Sequence, residues 1–204
     1  MPTAVSVERA RCLAATSSSG RYAPGPTRAP LEMSHLFTVP TLTFKTLYVL
    51  VFIAHGRREL MHVNVTAHPT AAWVWRQLIE ATPWGNKPRH LLRDRDAMYG
   101  RDFCQRARRM GIDAIATPVR STRANAIVER LIGTLRRECL DHVLILDEPH
   151  LGSVLTEFVQ YYNHERPHRT LGLQMPEPEP RSTTGPIRPR AVLNGLHHVY
   201  ERAA

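Results

Sequence analysis

The chain has 204 residues, 43% of them apolar and 22% charged, enough for one domain with a hydrophobic core plus tails. Its 27 Lys and Arg against 18 Asp and Glu give a formal net charge of +9 and a pI near 10.2. Lys45 and Lys87 are the only lysines, so the positive charge is carried by guanidinium groups. These suit bidentate phosphate contacts and make nucleic acid the first partner to consider, with a GC-rich genome as the alternative source of arginine. Cys12, Cys104 and Cys139 are scattered, which excludes a disulfide framework and a zinc ribbon and fits a reducing cytoplasm. The longest apolar run, TLYVLVFIA at 46–54, is too short to span a bilayer. No membrane partner is expected.

Residues 1–32 carry GPTRAP-type breakers and no sustained period, and read as a disordered leader without an apolar secretory segment. A transit peptide is the alternative. The next domain is expected over 33–175, followed by an extended tail over 176–204. LFTVPTLTF (36–44), TLYVLVFIA (46–54) and ELMHVNVTA (59–67) are β-branched, aromatic-rich runs with short turns between them, which predicts an antiparallel meander. PTAAWVWRQLIEA (69–81) reads as a helix with Pro69 in its first turn.

RHLLR (89–93) predicts a short strand that delivers Asp94 at its end, and RDFCQRARRMG (101–111) a helix closed by Gly111. DAIATP (113–118) predicts another strand. ANAIVERLIGTLRRECLDHV (124–143) is the longest helical segment, with Ile127, Leu131, Leu135 and Cys139 at helical spacing. A further helix covers about 149–163. Strands first and alternating units later imply an α/β fold: a five-stranded mixed sheet, three antiparallel strands then two parallel, flanked by helices.

Asp94 ends a strand, at the sheet edge where α/β proteins gather ligands. Glu129, near the start of the long helix, is the carboxylate the fold can bring to it. Two such carboxylates suit a hard cation, Mg²⁺ or Mn²⁺. A turn Asp and a helix-surface Glu with no shared role are the alternative from spacing alone.

Three blocks then point the same way. LLRDRDAMYG (91–100), TPVRSTRANAIVERLIGTLRRECLDH (117–142) and YYNHERPHRTLG (161–172) stand in order and at the spacing found in one family. The chain resembles, from about 34 to 175, the catalytic core of insertion-sequence transposases and retroviral-type integrases. These Asp-Asp-Glu recombinases have a ribonuclease-H-like fold. The resemblance implies DNA integration or transposition: two cations clamp a phosphodiester while water, then a freed 3′-hydroxyl, attacks phosphorus. It carries Asp94 and Glu129 over as catalytic, metal-holding residues. DNA is the implied partner, with a homo-oligomer or a mixed oligomer with an intact transposase.

The family's first-strand Asp stands just before the segment matching Phe37-Thr38-Val39-Pro40, and that position here is His35. No Asp precedes Asp94, and alternation puts Glu32 on the opposite strand face from His35. An imidazole offers one nitrogen and no negative charge, so an incomplete site is expected. The family's N-terminal helix-turn-helix region is also not found in the leader, which gives the look of a truncated copy. Arg120, Arg123, Arg130, Arg136 and Arg137 surround the Glu129 helix and are expected to contact DNA phosphates, a solvated helix face being the alternative. Three readings follow: a metal-dependent strand transferase, a non-catalytic DNA-binding remnant, and a ribonuclease-H-type nuclease.

Overall fold

A computed structural model describes residues 31–82, 87–117 and 122–202; of Leu31 and residues 122–125 it defines the backbone only. Among these residues seven strands and four helices follow one another: β1 Leu31–Pro40, β2 Thr46–Ala54, β3 Leu60–Thr66, α1 Ala71–Ala81, β4 His90–Arg93, α2 Phe103–Arg109, β5 Asp113–Ala116, α3 Thr122–Glu138, α4 Glu148–Gln160, β6 Ile187–Val192 and β7 His197–Arg202. The first five strands form one sheet in the order β3-β2-β1-β4-β5. β1 runs antiparallel to β2 and parallel to β4, and β5 is parallel to β4. The mixed five-stranded sheet expected from the sequence is the one observed.

Burial explains the order. β2 is buried on both faces, with Val49, Leu50, Val51, Phe52 and Ile53 all but inaccessible. Alternate residues of β1 and β2 therefore feed two cores. Met33, Phe37, Val49 and Val51 meet α3 and α4, through Val128, Leu131, Leu135, Leu155 and Phe158. Leu36, Leu50 and Phe52 meet α1 and α2, through Val74, Leu78, Phe103 and Ala107. The caps match the chain: Thr70 Oγ1 accepts from Trp73 N–H at the start of α1, and Asp147 accepts from His150 N–H at the start of α4. Among the described residues no helix is long and apolar enough to cross a membrane.

Three sequence expectations need correction. The first strand begins at Leu31, not Leu36, because β1 lies at the centre of the sheet and its polar residues Glu32 and Ser34 are buried there. It stops at Pro40, where Thr41 and Lys45 close the hairpin: each N–H bonds to the other residue, Thr41 N–H to Lys45 O and Lys45 N–H to Thr41 Oγ1. The expected tail over 176–204 is not extended. Residues 187–202 form an antiparallel hairpin whose Val192, Leu193 and Val199 join the α3–α4 core. The leader, up to residue 30, lies outside the described residues.

Candidate active site

The sheet brings β1 and β4 together in parallel, with Ser34 opposite Arg93. The residue after each is a site residue: His35 within β1, and Asp94 just past the end of β4. The imidazole Nδ1 lies 3.2 Å from Asp94 Oδ2, and Nε2 lies 4.0 Å from Glu129 Oε1. The three positions named from the sequence thus converge, with the ring between the two carboxylates. His35 and Asp94 are mostly enclosed, their side chains 18% and 15% exposed, whereas that of Glu129 is 59% exposed.

Local bonds fix Asp94. Asp96 N–H donates to its Oδ1 at 3.2 Å, and Leu36 N–H reaches its Oδ2 at 3.5 Å. The Arg93 guanidinium donates to the Asp94 carbonyl and stacks over the Tyr99 and Phe103 rings. Tyr99 is buried behind the site, its hydroxyl 2.9 Å from Ser34 Oγ. Asp96 caps the short 97–99 helical turn by accepting from Met98 N–H. Gly100 closes that turn at φ +73°, and a Cβ there would come within 2.9 Å of Ala71 Cβ, so the turn can pack against α1 only with glycine. Sequence reasoning missed the Ser34–Tyr99 contact; the aromatic three residues after Asp96 was its only trace.

Burial raises the Asp94 carboxyl above its ordinary range, opposed chiefly by the charge of His35 and then by the two backbone donors. Despite the 3.2 Å separation, His35 Nδ1 has no aligned hydrogen-bond partner. The contact is electrostatic rather than a formed hydrogen bond.

Two divalent cations need carboxylates that bridge them, and Mg²⁺ prefers oxygen at each position. The donors here are two carboxylates and one imidazole. The ring occupies the space between the carboxylates and has no second lone pair on either nitrogen. Among the described residues no group of three or more His, Cys, Asp or Glu side chains has the arrangement to hold a metal ion. The residues present do not fit a two-cation centre.

Of the arginines named with Glu129, Arg136 is half-buried against β1, donating to the Thr38 carbonyl at 3.1 Å with its guanidinium over the Phe37 ring. Arg130 and Arg137 are exposed and line a groove on the next face of α3. Arg120 and the Arg123 side chain lie outside the described residues. In the third block, Asn163 clamps β3, accepting from Leu60 N–H and donating to Leu60 O. His168 is buried with Nε2 3.2 Å from the Tyr162 carbonyl, and His164 lies beside Glu177 and Glu179; both help position the segment after α4. Tyr162 packs against Phe158, and Tyr161 stacks on His197.

Residues 110–176 match the family model described as Integrase core domain, a span that contains Glu129 and the third block. His35 and Asp94 precede that span. The chain is similar in structure to the HTLV-2 integrase catalytic core domain solved with magnesium: TM-score 0.58, 14% identity, covering 74% of this chain and 96% of that one. It is also similar to a chain of the simian T-cell lymphotropic virus intasome solved with the PP2A regulatory subunit B56 gamma: TM-score 0.61, 15% identity, covering 90% and 70%. A search of curated proteins finds no match. The match over 110–176 makes that span similar to an integrase core domain, and the five-stranded sheet around it has the ribonuclease-H-like fold of those solved catalytic cores.

Proposed function

We propose that the protein is a DNA integration or transposition protein by lineage that binds DNA but is impaired in strand cleavage and transfer at His35. The observation that carries this is the imidazole between Asp94 and Glu129, where the resemblance places a carboxylate. When protonated, the ring supplies the positive charge that the two carboxylates would otherwise draw from a metal. A cation would have to displace it. Basic charge and the Arg130, Arg136 and Arg137 side chains favour a nucleic-acid partner, and a homo-oligomer or a mixed oligomer with an intact transposase is the implied assembly. The HTLV-2 core was solved with magnesium, which makes Mg²⁺ or Mn²⁺ the ions to test.

The second reading, an active strand transferase with His35 as a ligand, rests on the convergence of all three positions. Nicking and strand transfer on supercoiled plasmid with Mg²⁺ or Mn²⁺ separates the two. The natural protein is expected to be silent, and His35→Asp to gain metal-dependent nicking that Asp94→Asn then abolishes. Restoring one missing charge-stabilising group is worth about 10²–10³ in rate by comparison with other sites. Nicking by the natural protein that Asp94→Asn removes would instead make His35 a working ligand.

A further inference from the structure

A groove of about 740 Å³ runs beside the candidate site, between α3 and the segment that follows α4. Five arginines line it: Arg58, Arg130, Arg137, Arg166 and Arg169. Among the described residues only Arg166 of these is neutralised, by a bidentate pair with Glu138 at 2.6 Å on each oxygen. Arg58 donates to a main-chain oxygen, that of His55, and among the described residues Arg130, Arg137 and Arg169 have no ion pair. Burial and the nearby Arg130 charge both lower the Arg58 pKa, a repulsion that an anion between them would relieve. The floor is apolar, with the buried Leu131 and Tyr162.

Two strained residues border this groove. Arg58 has φ +63° and Leu173 has φ +68°, a left-handed region that costs a side-chain-bearing residue energy. The turn that holds Leu173 is fixed by two bonds with His168: Leu173 N–H to His168 O and His168 N–H to Gln174 O. It keeps a leucine 64% exposed at the groove wall. With 100° per residue, Arg130, Thr134 and Arg137 lie between about a quarter and just under half of a turn round α3 from Glu129 and Arg136. The groove is therefore a separate face of the helix, adjoining the candidate site.

We propose that this groove binds one unpaired strand of nucleic acid, with phosphates on Arg58, Arg130, Arg137 and Arg169 and a base on the apolar floor. A convex duplex backbone would meet the exposed guanidinium rim but not the recessed Leu131 and Tyr162 side chains. A cationic channel with an apolar surface for the base is the usual chemistry of single-strand binding. The inference rests on the nucleic-acid reading above and adds the strand type and the place.

The test is fluorescence anisotropy of a labelled 12-nucleotide single strand on the full chain, with a duplex of equal length alongside. The Arg130→Glu/Arg169→Glu pair is expected to weaken single-strand binding at least thirtyfold. It should also lower the salt slope by about 0.7 for each phosphate that is no longer neutralised. The Arg108→Glu/Arg109→Glu pair on α2 makes the same change in net charge and is expected to weaken binding less than fivefold. Leu173→Ala should weaken the single strand severalfold and leave the duplex unchanged. Equal weakening by the two charge-reversed pairs, with melting temperatures matched, would overturn the proposal, as would displacement of the oligonucleotide by polyglutamate as readily as by polyphosphate. The plasmid assay is read independently: a His35→Asp protein that stays silent while the strand still binds the groove fails only the site reading.

Discussion

His35 shows how one side chain alters the electrostatics of a carboxylate pair. Asp94 is held by backbone donors and largely enclosed, so its charge needs a counterpart, which the adjacent imidazole can supply only when protonated and without the divalent charge or bridging geometry of metal ions. Glu32, on the other face of the same strand, has no such counterpart among the described residues. It is 1% exposed, and its Oε2 has no hydrogen-bond partner there. Burial, then the nearby Glu59, raises it from 4.5 to about 7. A raised acid pKa means that the folded chain holds the proton after the unfolded chain has released it. Stability from this group is therefore present below about 4.5 and is lost as pH rises to about 7. Glu32→Gln should gain stability relative to the natural protein between pH 5 and pH 8, on the order of 2 kcal/mol at 1.36 kcal/mol per pKa unit. Urea melts at both pH values measure it; parallel curves would mean that Glu32 ionises normally.

At the scale of elements, strands β2 to β5 and all four helices were legible because each carries its own period or composition. TLYVLVFIA is β-branched and apolar throughout, as suits a strand buried on both faces. The long helix shows Ile127, Leu131 and Leu135 at helical spacing; the two leucines are buried, and Ile127 is half-buried, packed against the same core while lining the groove. The start of β1 was illegible because Glu32, Ser34 and His35 are polar residues placed by tertiary pairing with β2 and β4. Asn163 belongs to this class of long-range support. Its side chain makes both main-chain bonds of Leu60, 103 residues away, inside the core. Asn163→Ala would leave a buried donor and acceptor unpaired and should cost about 2–4 kcal/mol. Asn163→Asp should cost at least as much, since it sets a carboxylate against the Leu60 carbonyl. Denaturant midpoints of both variants, with unchanged slopes, are the check.

For the molecule as a whole, the candidate site's positions were legible because the family blocks are local, while the groove was not, because it joins the β2–β3 turn, α3 and the 166–173 segment only in three dimensions. The same holds for the C-terminal hairpin. IRPRAV and HHVYER bury one residue each within the strands, too little to read as anything but tail. Yet Val192, Leu193 and Val199 enter the core, His197 stacks on Tyr161 at 4.6 Å with Nε2 2.7 Å from the Glu138 carbonyl, and Arg190 pairs with Glu165 at 2.7 Å. Three buried aliphatic side chains at about 1.5–3 kcal/mol each amount to roughly 5 kcal/mol, comparable with the whole stability of many domains. A chain ending at residue 186 should therefore lose cooperative unfolding, or show a denaturant midpoint far below that of the full chain. It should also loosen the segment after α4 that forms one groove wall, so single-strand binding should weaken along with stability. An unchanged midpoint would make the hairpin an appendage rather than the closing element of the α3–α4 core.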